Sequence, residues 1–458
     1  MFKAVANTFS NCLKIPELKS RIFYTLVVLA ICRLIALIVI PGLDGQALAQ
    51  HVEKSQQGSG GLLGLYSMFT GGALTKCAIG SLGIMPYISA SIIMQLLTAV
   101  VAPLSKLSRE EGGRVKIIQY GRYLTVLLCL GQGFVVALGW ENAQSIISDF
   151  KQSIVLYDNI WWYRIQTTLI LTTGTLLLMW FGEQITERGI GNGVSLVITV
   201  GIVARLPHAM VSTYNMFVTP DGTEGRYTIF HAIALVLLLA GVVAGVIAVT
   251  QAQRKIPVQH AQRAVGRKVF SGGSSFMPLR VNYAGVMPII FAQAILMFPE
   301  KIFYFLGNSY NVKFFQEIAV HFREDAALYL CLLGAMILFF SYFWVATQFN
   351  EIQIADDLKK SGGYIPGVRP GQATSDFLHR AMSRITFAGA LFLTVIAIIP
   401  IVLYRIMDVP QDVAQFFGGT SMLITVGVML DTMRQMESHL LMRHYDGFLK
   451  KGRLKGRF

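Results

Sequence analysis

The chain has 458 residues, 54% hydrophobic and 14% charged with a mean hydropathy of +0.55, where soluble domains carry about 25% charge; this excludes an ordinary soluble domain and implies a lipid-facing surface. Five cysteines without CxxC spacing, mostly inside apolar runs, exclude a disulfide or zinc framework. The net charge of +14 leaves nucleic acid, anionic lipid and an acidic partner open until it is located along the chain.

A bilayer core about 30 Å thick demands roughly 20 apolar residues per helix, because lipid offers no partner to an exposed backbone group. Such runs fall at 22–40, 79–102, 117–139, 165–182, 191–213, 228–250, 284–304, 326–349, 385–404 and 413–433. They predict an all-α polytopic membrane protein with ten transmembrane helices. The first run precedes Ala47-Leu48-Ala49, which superficially resembles a cleavage site. Its 19 residues exceed a signal-peptide core of about 7–15, so it is expected to remain as a span. Ten crossings put both termini on one side. Of the 39 lysines and arginines, 27 lie on that side and nine on the other, while Arg33, Arg122 and Arg164 fall within or beside helices. By the positive-inside rule the termini face the cytoplasm.

Between the first two spans, Gln57 to Gly72 reads QGSGGLLGLYSMFTGG, a glycine-rich bracket around a stretch too short to cross. It is an ordinary external loop helix or an apolar segment that must bury itself in a partner, the interface or its own protein. The second span contains Gly83-Ile84-Met85-Pro86-Tyr87-Ile88-Ser89-Ala90-Ser91 and Gln95, and the seventh contains Gly285-Val286-Met287-Pro288-Ile289-Ile290 and Gln293. Small and polar residues allow close helix contact, and a kinking proline frees backbone that neighbours must satisfy, so both helices are expected inside a bundle. Matching second and seventh helices suggest two five-helix halves, 1–213 and 214–433, followed by a basic tail, 434–458. With an odd number of spans per half, the repeat is inverted, an arrangement that suits a central pathway.

At the cytoplasmic turn after the fourth span, Gly182-Glu183-Gln184-Ile185-Thr186-Glu187-Arg188-Gly189-Ile190-Gly191-Asn192-Gly193 reads as a glycine turn with a local salt bridge to Arg188. Carboxylates and histidines are otherwise nearly absent from the spans, which argues against proton or ion coupling. No HExxH, GxSxG or GxxxxGK[ST] appears, so no metal, cofactor or catalytic residue is expected and an enzyme is disfavoured. The longest cytoplasmic loop, 251–283, holds Arg254, Lys255, Arg263, Arg267, Lys268 and Arg280 without one acid. The next, 350–383, presents Arg369 among glycine and proline turns. Such loops either touch anionic lipid or dock a large anionic body such as RNA or an acidic protein.

Taken with Gly71-Gly72-Ala73-Leu74, Leu358-Lys359-Lys360-Ser361-Gly362, Pro366-Gly367-Val368-Arg369-Pro370-Gly371 and Phe417-Gly418-Gly419-Thr420-Ser421, these blocks resemble, in order across the chain, the bacterial SecY family of the Sec translocon. The resemblance implies a protein-conducting channel shaped as an hourglass pore between the two halves. A ring of Ile84, Ile88, Val194, Ile198, Ile290 and Ile424 would close it at mid-membrane. A plug at about 62–72, with Leu62, Leu63, Leu65, Tyr66, Met68 and Phe69, would close it from outside. Helices two, three, seven and eight would form a lateral gate, with Gln95 and Gln293 at its seam. Arg267, Lys268 and Arg369 would dock the ribosome and the SecA ATPase. The resemblance also implies SecE and SecG subunits, signal sequences and unfolded secretory proteins as clients, membrane lipids as surroundings, and a plasma (inner) membrane location. Asn350-Glu351-Ile352-Gln353 departs from the family's usual sequence after helix eight, so that helix is expected to exit less sharply. The readings in competition are a secondary transporter with inverted repeats, an intramembrane enzyme and an insertase scaffold without a pore.

Overall fold

A computed structural model describes residues 15–54, 70–110, 112–141, 154–218, 229–260, 263–265, 268–270, 274–283, 285–293, 295–296, 299, 303, 313–322, 326–407, 409, 413–414 and 420–451. The chain divides into two compact units, one formed by 1–212 with 428–458 and the other by 213–427. Six of the described helices are long and apolar enough to cross a membrane, or seven if one bent pair is counted as a single span.

In the first unit, α1 (Pro16–Ile35), α2 (Gly45–Lys54), α3 (Met85–Val100), α4 (Ala102–Arg109), α5 (Gly113–Glu141), α6 (Ile160–Arg188) and α7 (Gly193–Val203) follow in order, and α8 (Leu206–Val218) begins in this unit and ends in the second. The second span is not a continuous helix kinked at its proline. Residues 70–84 run through turns, and Pro86 lies in the first turn of α3, where its missing N–H costs no hydrogen bond. The sharp bend comes later: α3 and α4 meet at 102° across extended Val101, with Pro103 in the first turn of α4. Helix α6 packs against α5, α7 and α1. Its many threonines suit an apolar setting because hydroxyls donate back along the helix, Thr168 to the Arg164 carbonyl at 2.7 Å and Thr172 to that of Thr168 at 2.8 Å. Side chain volume at the α5 contact is kept small by Gly133, which faces Thr168 and Leu171. A buried apolar set of Val28, Leu29, Cys32, Ile35, Leu178 and Ile185 locks α1 onto α6.

The second unit comprises α9 (Ile229–Gln251), β1 (Gln253–His260), β2 (Arg263–Val265), β3 (Lys268–Phe270), β4 (Ser274–Arg280), α10 (Lys313–His321), α11 (Ala327–Gln348), α12 (Glu351–Lys360), β5 (Gly363–Tyr364) and α13 (Gln372–Met407). Helix α14 (Thr420–Lys451) begins in this unit and ends in the first. The all-helix expectation holds for the spans, but the basic loops carry strands. β1 pairs antiparallel with β4 over Gln253–Gln259 and, on its other edge, with β5 of the following loop. Ile256 and Leu279 on the covered face pack into a core with Val345, Phe349, Ile365 and Leu378, so one platform joins both loops to α11 and α13. Asn350 caps α12 by accepting from the Gln353 N–H at 3.2 Å.

The two Gly-x-Met-Pro motifs fold alike. Gly83 (φ +58°) and Gly285 (φ +64°) both take left-handed backbone, and a helix starts two residues later, at Met85 and at Met287. A side chain on Gly83 would also press on Thr70 at 3.1 Å. The first motif is buried throughout, whereas Gly285, Val286 and Met287 are partly buried.

Candidate functional site

The aliphatic residues expected at the ring are placed by short, specific contacts within each unit. In the first, Ile84 and Ile88 begin α3 and Ile198 lies on α7, all three buried. Val194, in the first turn of α7, is partly buried. Helix α6 brings Ile84 and Val194 together at Gly182: a Cβ there would lie 3.4 Å from Val194 Cγ2 and 3.6 Å from Ile84 Cδ1. Gly193 allows this approach, since a Cβ on it would sit 1.9 Å from the Gly182 carbonyl oxygen. In the second unit Ile290 and Ile424 are buried at 2% and 1% exposure. The segment carrying Ile290 is held to α11 by Phe291, whose ring lies edge-on to Phe340 at 5.9 Å and to Trp344 at 5.6 Å.

The turn from Gly189 to Gly193 is a hydrogen-bonded knot, which explains its polar sequence. The Ile190 N–H donates to Thr25 Oγ1 of α1 at 3.1 Å, the Gly191 N–H to Gln435 Oε1 of α14 at 2.8 Å, and the Gly193 N–H to Thr186 Oγ1 of α6 at 2.9 Å. Asn192 caps α7 through the Ser195 N–H. The salt bridge expected here forms with a different partner. Glu183 receives both forks of Arg122 on α5, at 3.1 and 2.8 Å, in place of Arg188. Five residues apart on one helix, Glu183 and Arg188 diverge by about 140° around its axis. A second bidentate pair, Arg164 with Glu141 at 2.8 and 2.9 Å, ties the other ends of α6 and α5. Sequence reading missed both cross-helix pairs because no spacing rule links residues so far apart.

Arg33 of α1 is the cation within the first predicted span. Its Nη1 donates to the Gly71 carbonyl at 2.9 Å. Gly71 and Gly72 are both left-handed, at φ +64° and +84°.

Of the expected gate residues, Gln95 is exposed on α3, whereas Gln293 Oε1 is buried without a hydrogen-bond partner among the described residues. The plug residues Leu62, Leu63, Leu65, Tyr66, Met68 and Phe69 lie outside the described residues, as does Arg267. Lys268 begins β3. Arg369 is exposed on a turn closed by the Val368 N–H donating to the Ile365 carbonyl, and its own carbonyl accepts from Thr374 Oγ1 at 2.9 Å. On the open face of the neighbouring sheet, Lys255, Phe276 and Arg280 are exposed. Among the described residues no group of histidines, cysteines and carboxylates has the arrangement of a metal site.

A family model named SecY matches residues 78–433. Relatives called protein translocase subunit SecY include one from Chlamydia trachomatis, 40% identical over 456 residues that cover 98% of this chain and 99% of the relative. Another from Escherichia coli K12 is 40% identical over 441 residues, 96% of each chain. Among solved structures, a SecY whose plug domain is described as stabilising the closed channel superposes with a TM-score of 0.56 at 18% identity, covering 92% of both chains. Sec61 from a canine ribosome-channel complex superposes with a TM-score of 0.52 at 16% identity, again over 92% of both.

Proposed function

The chain belongs to the SecY family, and on that premise we propose that it forms the channel by which unfolded secretory polypeptides cross the plasma membrane. Hydrophobic segments leave the same channel sideways into lipid. The observation that carries this reading is the placement of buried aliphatic side chains, Ile84, Ile88, Ile198, Ile290 and Ile424, at the two glycine-led helix starts, on α7 and on α14. Together with Val194 they supply what a seal for unspecified polypeptides requires. Flexible alkyl groups close around any sequence, offer ions no ligand, and repel water from a narrow constriction.

The remaining assignments follow from the same reading. Residues 62–72 act as a plug on the outer side. Gln95 and Gln293 border the lateral gate, and Gln293 Oε1, without a partner among the described residues, supports a polar contact made there by another group. The platform of β1, β4 and β5, with Arg267, Lys268 and Arg369, docks the ribosome and the SecA ATPase. Ribosome docking is favoured by the likeness to Sec61 in a ribosome-channel complex. SecE and SecG complete the complex, both termini are cytoplasmic, and translocation is driven by the partners. The two halves correspond to 1–213 and 214–433, with the basic tail beyond.

Deleting 62–72 tests the channel directly. In proteoliposomes containing the purified complex, the deletion is expected to raise resting ion conductance and admit precursors with defective signal sequences. Conductance and selectivity equal to those of the intact chain would contradict the plug assignment.

A further inference from the structure

We propose that Arg33 is a positioning residue for the seal, holding the ring-bearing helices α3 and α7 in their closed placement through the backbone of Gly71. The inference rests on the ring reading above. A guanidinium in a membrane-spanning helix is costly unless something uses it, and its partner points to that use. Among the described residues, the partner is the Gly71 carbonyl, at 2.9 Å.

Three elements meet at that carbonyl. Gly71 is buried, and a Cβ on it would lie 2.4 Å from Arg33 Nη1, 3.1 Å from Gly201 Cα and 3.2 Å from the Gly201 carbonyl oxygen. Gly201 is on α7, one turn beyond Ile198. Downstream of Gly71 the chain is stitched to the end of α1. The Ile40 N–H donates to the Cys77 carbonyl at 2.9 Å, the Ile79 N–H to Ile38 at 2.9 Å, and the Gly80 N–H to Ile35 at 3.3 Å. Ala36, Ala73 and Ala78 close a small core beneath these bonds. Thr70 lies beside Gly83, the residue before Ile84, where an added Cβ would come within 3.1 Å of its Cγ2. A single cation on α1 therefore fixes a backbone junction that lies beside α7 near Ile198 and continues through the 72–83 turns to Ile84, at the N-cap of α3, and Ile88. Two left-handed glycines in succession make this junction the most easily re-routed stretch of the path, and the charged hydrogen bond removes that freedom.

The test uses the purified complex in proteoliposomes and in cells. Arg33→Met keeps the length and apolar stem while removing the donor. It is expected to raise resting conductance about tenfold, as loss of one charge-assisted hydrogen bond shifts a two-state balance, and to admit defective signal sequences at unchanged membrane level. Should Arg33→Met fail to insert, Gly71→Ala displaces the guanidinium while keeping it, and the same rise is expected. Where both variants insert, the double variant is expected to leak no more than Gly71→Ala alone, because that substitution already displaces the guanidinium, along with crowding Gly201. Unchanged conductance in whichever of them inserts, or additive leaks in the double variant, would overturn the inference. Ile88→Asn separates this failure from failure of the ring reading. A leak in Ile88→Asn with none in Arg33→Met removes Arg33 alone, whereas no leak in either removes the ring.

Discussion

At the residue scale, the proposed seal would depend on side chains that are large, flexible and without polar atoms. Ile88, at 6% exposure, sits one turn after Ile84 on the first turns of α3. Asparagine is smaller and polar, so Ile88→Asn both removes apolar volume and introduces an amide. It is expected to wet the constriction, increase resting conductance and relax signal selectivity, measured by single-channel recording and export of a signal-defective reporter. Glycines do the complementary work of letting ring side chains meet. Gly182 and Gly193 are used for close approach, Gly83 and Gly285 for left-handed backbone, and these are separate reasons for the same residue type.

At the element scale, two bidentate ion pairs clamp α5 to α6, Arg122 with Glu183 and Arg164 with Glu141. Glu183→Gln leaves Arg122 facing a neutral amide and is expected to lower the stability of the first unit by about 0.5–1 kcal/mol, since the pair is partly exposed. The exchanged pair Arg122→Glu with Glu183→Arg should restore part of it, read from the thermal unfolding of the detergent-solubilised complex. A double exchange no better than Glu183→Gln would show that the pair contributes nothing. The spans were legible in the sequence because about twenty apolar residues leave few alternatives in lipid. Their ends were less so: the second span yields to turns before Met85, since Gly83 and Pro86 favour an interrupted start over a kinked continuous helix. The platform was hidden for another reason. β5 is two residues long and its pairing partner β1 lies more than a hundred residues earlier, beyond any periodicity in either loop.

At the scale of the whole molecule, the ring residues were named through resemblance and not through spacing. Apolar residues in apolar helices carry no local mark, and only contacts such as those around Gly182 distinguish Ile84 and Val194 from their neighbours. The Gln435 and Thr25 bonds to the 189–193 turn likewise joined residues from distant parts of the chain that nothing in the sequence linked. The proposed channel requires that one polypeptide path run past aliphatic residues from both halves of the chain. Single cysteines at Ile88, Ile198, Ile290 and Ile424, each in an otherwise cysteine-free complex, can be tested for disulfide formation with a precursor arrested during translocation and carrying one cysteine in its membrane-spanning stretch. Crosslinks from all four positions to the same short stretch of precursor are expected. Capture at positions of only one unit, or at none of them while translocation proceeds, would contradict the account.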